Sequence, residues 1–243
     1  MNSRFSDKIY ITFDVEWAND DVLNDTIDIM EENNISATFF ATHQTKALDR
    51  IRNNSSLELG IHPNFNKALL CQESKPYSQV IEDALDIVPE AISYRSHCLT
   101  QNALISLEAA RCGIRYDLNV YIPLEAKLSL KPFYAPSGLI TVPFFFEDDI
   151  YFFMSEKKKP VAEHFETDEL KVFNFHPSHI FLNANTNEQY DEYKKNIHDT
   201  EKLKEIVTHG YGARDFLNDV ISYGKKNNYK FHKIRDIQLA TTP

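Results

Sequence analysis

The segment Thr12-Phe13-Asp14-Val15-Glu16-Trp17 follows an apolar run and carries two carboxylates at i and i+2. On an extended chain both point to the same side. Carboxylates brought together in this way repel one another unless a cation or an arginine lies between them. Three other apolar runs also end in residues able to do chemistry. Leu57 to Ile61 leads into His62-Pro63, Ala91 to Tyr94 into Arg95-Ser96-His97, and Lys171 to Phe175 into His176-Pro177-Ser178-His179. A carboxylate with imidazoles is a common set for holding a divalent metal such as zinc. Further imidazoles and carboxylates would serve as general acids and bases. Taken singly, each residue has a plainer reading: Asp14 as a helix cap, Glu16 as a solvated carboxylate, His97 or His176 as a buried imidazole bonded to a carbonyl. Their joint occurrence at the ends of apolar runs is what points to a site. His43, His164, His198, His209 and His232 lie in polar stretches and read as surface residues, and Glu147-Asp148-Asp149 reads as a solvated turn or, alternatively, as a turn that enters the cleft.

The elements that must position these residues alternate. The pattern predicts strands at 9–13, 36–42, 57–61, 91–94, 114–120, 139–146, 171–175 and 231–237. Helical stretches fall between them, at about 20–33, up to 54, 79–88, 101–112 and, as one long region, 188–227. Strands alternating with helices of this length imply βαβ units and a parallel sheet. In such folds the chemistry gathers at the carboxyl ends of the strands. No repeat or low-complexity stretch divides the 243 residues, and a single α/β domain over 1–243 is expected.

Several of these segments, in this order, resemble the polysaccharide deacetylases (carbohydrate esterase family 4). They are Thr12-Phe13-Asp14, Ala37-Thr38-Phe39-Phe40, Glu58-Leu59-Gly60-Ile61-His62, Arg95, and Val172-Phe173-Asn174-Phe175-His176. The resemblance implies a distorted (β/α) barrel of about seven parallel strands and a divalent metal, usually zinc. It implies Asp14 as general base, Glu16 or Asp14 as the metal carboxylate, His62 as a metal ligand, Arg95 as the group orienting the base, and His176 as general acid. Three positions depart from the family pattern. Val15 replaces a second aspartate, Asn66 stands where a second histidine is expected, and Arg95-Ser96-His97 replaces an arginine-x-proline. His97 is therefore expected to take the place of the missing ligand, and Trp17, Asn66 and His179 to lie beside the substrate.

Amide hydrolysis at neutral pH needs an activated water, an electrophile for the developing oxyanion and an acid for the leaving amine, and this set of residues offers all three. Lys plus Arg number 26 against 36 Asp plus Glu, a net charge of -10, which argues against nucleic-acid or anionic-membrane partners. No apolar run is long enough to span a membrane. Three cysteines without a paired spacing (Cys71, Cys98, Cys112) and no export signal ahead of residue 9 lead to the expectation of a cytoplasmic protein. The expected substrate is a soluble N-acetylated sugar, nucleotide- or lipid-linked, made for a surface polysaccharide. Lys127, Lys131 or Arg115 would meet a nucleotide phosphate, and Phe144 to Phe146 with Tyr134 and Tyr151 would pack the core or stack on the sugar. Two other readings fit the same residues: a hydrolase of another linear or cyclic amide, and a carbohydrate-binding protein that has lost catalysis. The sequence leaves the oligomeric state open.

Overall fold

In the strands Lys8–Asp14 (β1), Ala37–Ala41 (β2) and Leu57–Ile61 (β3), nearly every residue is buried, as expected of a parallel sheet covered on both faces. The computed structural model describes residues 4–72, 74–154 and 158–239. The two ends of the expected 1–243 domain therefore lie outside the described residues. Between β1 and β2 runs Asp20–Asn33 (α1), and between β2 and β3 runs Ala47–Asn53 (α2). α1 begins where Asn19 accepts the Val22 N–H and ends at Asn34 in the left-handed conformation. It buries Val22, Leu23, Ile27 and Met30 against the sheet. Each such side chain contributes about 1.5–3 kcal/mol by leaving water.

The chain continues through Asn66–Leu69 (α3), Tyr77–Ile87 (α4), Ser93–Tyr94 (β4), Ala103–Arg111 (α5), Tyr116–Asp117 (β5), Phe133–Tyr134 (β6), Ile140–Thr141 (β7) and Phe146–Glu147 (β8). It ends with Lys171–Phe175 (β9), Pro177–Leu182 (α6), Asn187–Asn196 (α7), Thr200–Glu205 (α8), Ala213–Lys226 (α9) and Lys230–His232 (β10). The strand order is β6-β7-β5-β4-β3-β2-β1-β9-β8, with β10 on β1, and only the β6–β7 pair is antiparallel.

One extended segment, 140–147, appears at both ends of this order. It pairs with β5 through β7 and with β9 through β8, and Phe144 bridges Tyr121 between them. The sheet thus curls into a distorted barrel of seven parallel strands: β1 to β5, the 140–147 segment, and β9. The strand expected at 139–146 is split because Pro143 has no N–H to donate. The long helical region expected at 188–227 is three helices, broken near Ile197 and again before Gly212. The last strand is only β10, followed by a single 3₁₀ turn, and the 114–120 strand shortens to β5.

Gly60 shows how tightly the barrel interior closes. A Cβ there would meet the Phe40 ring at 2.6 Å and Ser93 Oγ at 2.7 Å. Among the described residues, no helix is long and apolar enough to cross a membrane.

Candidate active site

Polar residues inserted in otherwise apolar strands point into the barrel and meet at its carboxyl end. Arg95, directly after β4, is fully buried. Its Nη1 donates to Asp14 Oδ1 at 3.0 Å, to Thr12 Oγ1 at 3.1 Å and to Asn174 Oδ1, and its Nε donates to the Leu118 carbonyl at 3.2 Å. The Phe40 and Phe144 rings lie 4.8 and 4.6 Å from the guanidinium. Asn174 Nδ2 completes the hold on Asp14, donating to Oδ2 at 2.9 Å. Asp14 is thereby fixed in orientation by charged and neutral donors while still lining the cleft. Asn19, not Asp14, caps α1.

Glu16 lies just beyond β1, in the left-handed region with φ 47°. Its Oε1 receives His62 Nε2 at 2.9 Å and His97 Nδ1 at 2.7 Å. Burial alone would raise the Glu16 pKa, but the two imidazole hydrogen bonds outweigh it and hold the carboxyl well below the usual range. The other nitrogen of His62, Nδ1, is buried without a hydrogen bond, 3.5 Å from Asp14 Oδ1. His97, the residue standing in for the family's proline, is thus brought beside His62, their ring centroids 5.8 Å apart.

The acidic triplet is not a solvated turn: Glu147 and Asp148 are buried and Asp149 is half-buried. Its first residue ends β8, and the next two lead into a π-helical turn at Ile150–Met154, a distortion common at functional sites. Asp148 Oδ2 accepts the His176 backbone N–H at 2.9 Å. Asp148 Oδ1 lies 2.6 Å from His176 Nδ1 and 3.1 Å from His179 Nδ1. Burial by itself would strip the proton from His176, yet Asp148 beside it prevails and raises its proton affinity well above the ordinary histidine value. Glu147 Oε1 accepts from the same Asn174 amide that binds Asp14, at 3.2 Å. Burial, reinforced by the charges of Asp149 and Asp14, pushes the Glu147 pKa up to about 8. Burial likewise raises Asp149. His164, expected at the surface, is also buried: its Nδ1 lies 3.1 Å from the Pro160 carbonyl and its ring stands among Phe145, Phe146 and Tyr151.

These groups wall a cleft of about 380 Å³, lined by Asp14, Glu16, His62, His97, Glu147, Asp149, His176 and His179 together with Met154 and Tyr190. Asn66 is not part of the wall. It begins α3, where Asn64 Oδ1 accepts its N–H and turns the chain away, and its Nδ2 lies 4.0 Å from Cys98 Sγ. Trp17 stands at the rim, its ring 5.3 Å from that of His97. His179 lines the cleft between the Phe153 and Tyr190 rings. The cations expected to meet a phosphate do not line it: Lys131 pairs with Glu169, Arg115 lies over Tyr116, and Lys127 ends a 3₁₀ turn.

Among the described residues, three clusters have donor atoms close enough to hold a metal: Glu16, His62 and His97; Asp148, His176 and His179; and Asp14, Glu147 and His176. The first fits best. In it two imidazole nitrogens converge on one carboxylate oxygen. In the third, Asp14 is already held by Arg95 and Asn174, and Glu147 shares that same Asn174 amide. In the second, two imidazoles likewise meet one carboxylate oxygen, but Asp148 is fully buried behind the cleft wall and its other oxygen accepts the His176 backbone N–H.

The model of the WbmS-like family of polysaccharide deacetylases matches residues 11–194. Among solved structures, a Bordetella bronchiseptica protein described as a polysaccharide deacetylase involved in O-antigen biosynthesis is 31% identical with a TM-score of 0.86. That match covers 90% of this chain and 92% of the other. The Bc1960 peptidoglycan N-acetylglucosamine deacetylase is 12% identical with a TM-score of 0.51, over 96% of this chain and 88% of that one, a likeness of fold alone. The same holds for a 4-alpha-glucanotransferase from Thermococcus litoralis, 12% identical with a TM-score of 0.50 over 94% of this chain and 37% of that one. No curated protein matches the chain.

Proposed function

We propose, from the premise that the chain belongs to the WbmS-like polysaccharide deacetylases, that its cleft hydrolyses the amide of an N-acetylated sugar, releasing acetate and a free amine. One observation carries the reading: a fixed carboxylate, Asp14, and a proton-bearing imidazole, His176, both line the cleft that holds the Glu16–His62–His97 cluster. Glu16, His62 and His97 would hold a divalent metal, with zinc favoured by one carboxylate and two imidazoles; bound there, it would polarise the amide carbonyl and activate the attacking water.

The residues of the chain supply the proton transfers. Asp14, oriented by Arg95 and Asn174, takes a proton from water as its oxygen attacks the carbonyl carbon. As the carbon–nitrogen bond breaks, His176 gives its proton to the leaving nitrogen, and Asp148 stabilises the imidazolium until that moment. Each transfer is worth on the order of 10²- to 10⁴-fold in rate. Glu147, its pKa pushed up to about 8 by burial and by Asp149, favours the neutral form over a second negative charge beside Asp14.

The similarity to a protein described as involved in O-antigen biosynthesis supports a building block of a surface polysaccharide as the substrate. Cys71, Cys98 and Cys112 are all free thiols, which fits a reducing compartment such as the cytoplasm. The test is to incubate the zinc-reconstituted protein with N-acetylated sugars and to quantify acetate and primary amine together. Equal amounts of both, lost in His176→Asn, support the reading. Binding of the sugars with no acetate from any of them contradicts it.

A further inference from the structure

His179 follows His176 by three residues, with Pro177 between them at the first position of α6. The fixed φ of proline starts the helix there, and a spacing of three then puts both imidazoles on one side. His179 is buried, its ring enclosed by those of Phe153, Tyr190 and His176 at centroid distances of 5.1, 4.9 and 4.8 Å. Such surroundings suit phenylalanine better than histidine. Among the described residues, neither nitrogen of the ring meets an aligned hydrogen-bond partner, and an unsatisfied buried polar group costs stability. Packing alone does not account for an imidazole at this place.

The neighbouring carboxylate does. Asp148 is fully buried, and its Oδ2 accepts the His176 backbone N–H. Its Oδ1 faces both rings, with His176 Nδ1 at 2.6 Å and His179 Nδ1 at 3.1 Å, close enough for a second hydrogen bond once the His179 ring turns toward it. While His176 is an imidazolium, its own charge neutralises Asp148. Once the proton has passed to the leaving nitrogen, Asp148 remains as a buried anion facing two imidazoles. A second N–H donor stabilises this spent state more than the charged one, because the anion has lost its counterion.

We propose that His179 is a positioning residue for the general acid: by sharing Asp148 Oδ1 it loosens that carboxylate's grip on the His176 proton, so that His176 delivers it more readily to the leaving nitrogen. The proposal rests on the deacetylase reading and adds to it a residue that acts through His176. The other titrating groups facing this pair are left in place when His179 is replaced. They are Asp14 and Glu16 from β1 and the turn after it, Glu147 and Asp149 on either side of Asp148, and Tyr190 from α7.

Two readouts test the proposal. In the zinc-reconstituted protein, followed by acetate release, His179→Phe should move the alkaline limb of kcat up by roughly one pH unit and lower kcat at neutral pH roughly 3- to 10-fold, with KM little changed. The direction is opposite to that expected of Asp148→Asn. His179→Asn, which keeps an N–H donor near the place of Nδ1, should recover part of both effects. In metal-stripped protein labelled with ¹⁵N-histidine, His176 should titrate at higher pH in His179→Phe than in the wild type, and adding His179→Phe to Asp148→Asn should move it no further. A fall in kcat with neither the limb nor the His176 titration displaced would show a purely structural role and overturn the proposal. So would a displacement of the same size with and without the Asp148 charge. A displaced His176 titration in a protein that releases acetate from no sugar would leave the coupling of the two imidazoles standing and remove the deacetylase reading.

Discussion

Replacing Glu147 by glutamine should make the protein more stable as the pH rises, and the size of the effect follows from where the side chain lies. Glu147 is buried, accepts one hydrogen bond from Asn174 Nδ2, and has Asp149 and Asp14 as its charged neighbours. In the fold its pKa is pushed up to about 8, against 4.5 for an ordinary glutamate. A carboxyl with a raised folded pKa contributes stability that is fully present below the unfolded value and is lost as the pH climbs to the folded one. Each unit of separation is worth about 1.4 kcal/mol, so the loss between pH 4.5 and pH 8 is on the order of 4–5 kcal/mol, shared in part with Asp149. That is a large fraction of a typical stability of about 5–15 kcal/mol. Glutamine keeps the shape and the acceptor for Asn174 but has no proton to lose. Urea unfolding of the metal-stripped wild type and of Glu147→Gln, at unit steps from pH 5 to pH 8, isolates Glu147 together with the Asp149 carboxyl that titrates against it, since groups that do not interact with either cancel in the difference. The two should be within about 1 kcal/mol at pH 5 and diverge in favour of the variant by several kcal/mol at pH 8. A difference independent of pH would mean that Glu147 is ionised in the folded protein, and the reasoning would be wrong.

Other perturbations read the remaining parts of the site. His176→Asn should lower kcat by roughly 10²- to 10⁴-fold with little change in KM, measured by acetate release. Asp148→Asn removes the charge that holds the proton on His176, leaving burial unopposed, so the alkaline limb of the kcat profile should move to lower pH. Arg95→Met leaves Asp14 buried without its charge partner and should cost about 3–5 kcal/mol in urea unfolding. Adding Asp14→Asn should recover part of that loss.

Much of the barrel is legible in the sequence because its central strands are short apolar runs with few alternative uses. β3, β9 and α1 fall at the expected residues, and the polar residues ending β1, β3, β4 and β9 do converge. Three consecutive acids favour a solvated turn, yet the triplet 147–149 takes the alternative and enters the cleft. Its position directly after the apolar run 139–146 is the same strand-end signal that marked Asp14 and His62. Asn174 and Thr12 were overlooked for a related reason: each is a single polar residue inside an apolar strand. Only the closed barrel shows that both face Arg95. His164 sits among Glu163 and Glu166 in sequence, yet its polar neighbours turn outward while it packs on Phe145. The interruption of the 140–147 segment was written in Pro143. The pairing of that segment with both β5 and β9 is a tertiary outcome that periodicity does not encode.

The most direct measurement is metal stoichiometry, taken by elemental analysis on untagged protein loaded with zinc and freed of excess, for the wild type and for three variants. About one zinc per chain is expected in the wild type and in His176→Asn, with loss of that zinc in both His62→Ala and His97→Ala. No zinc in the wild type, or zinc that survives both of those substitutions but is lost in His176→Asn, would contradict the assignment of Glu16, His62 and His97 as the centre of the site.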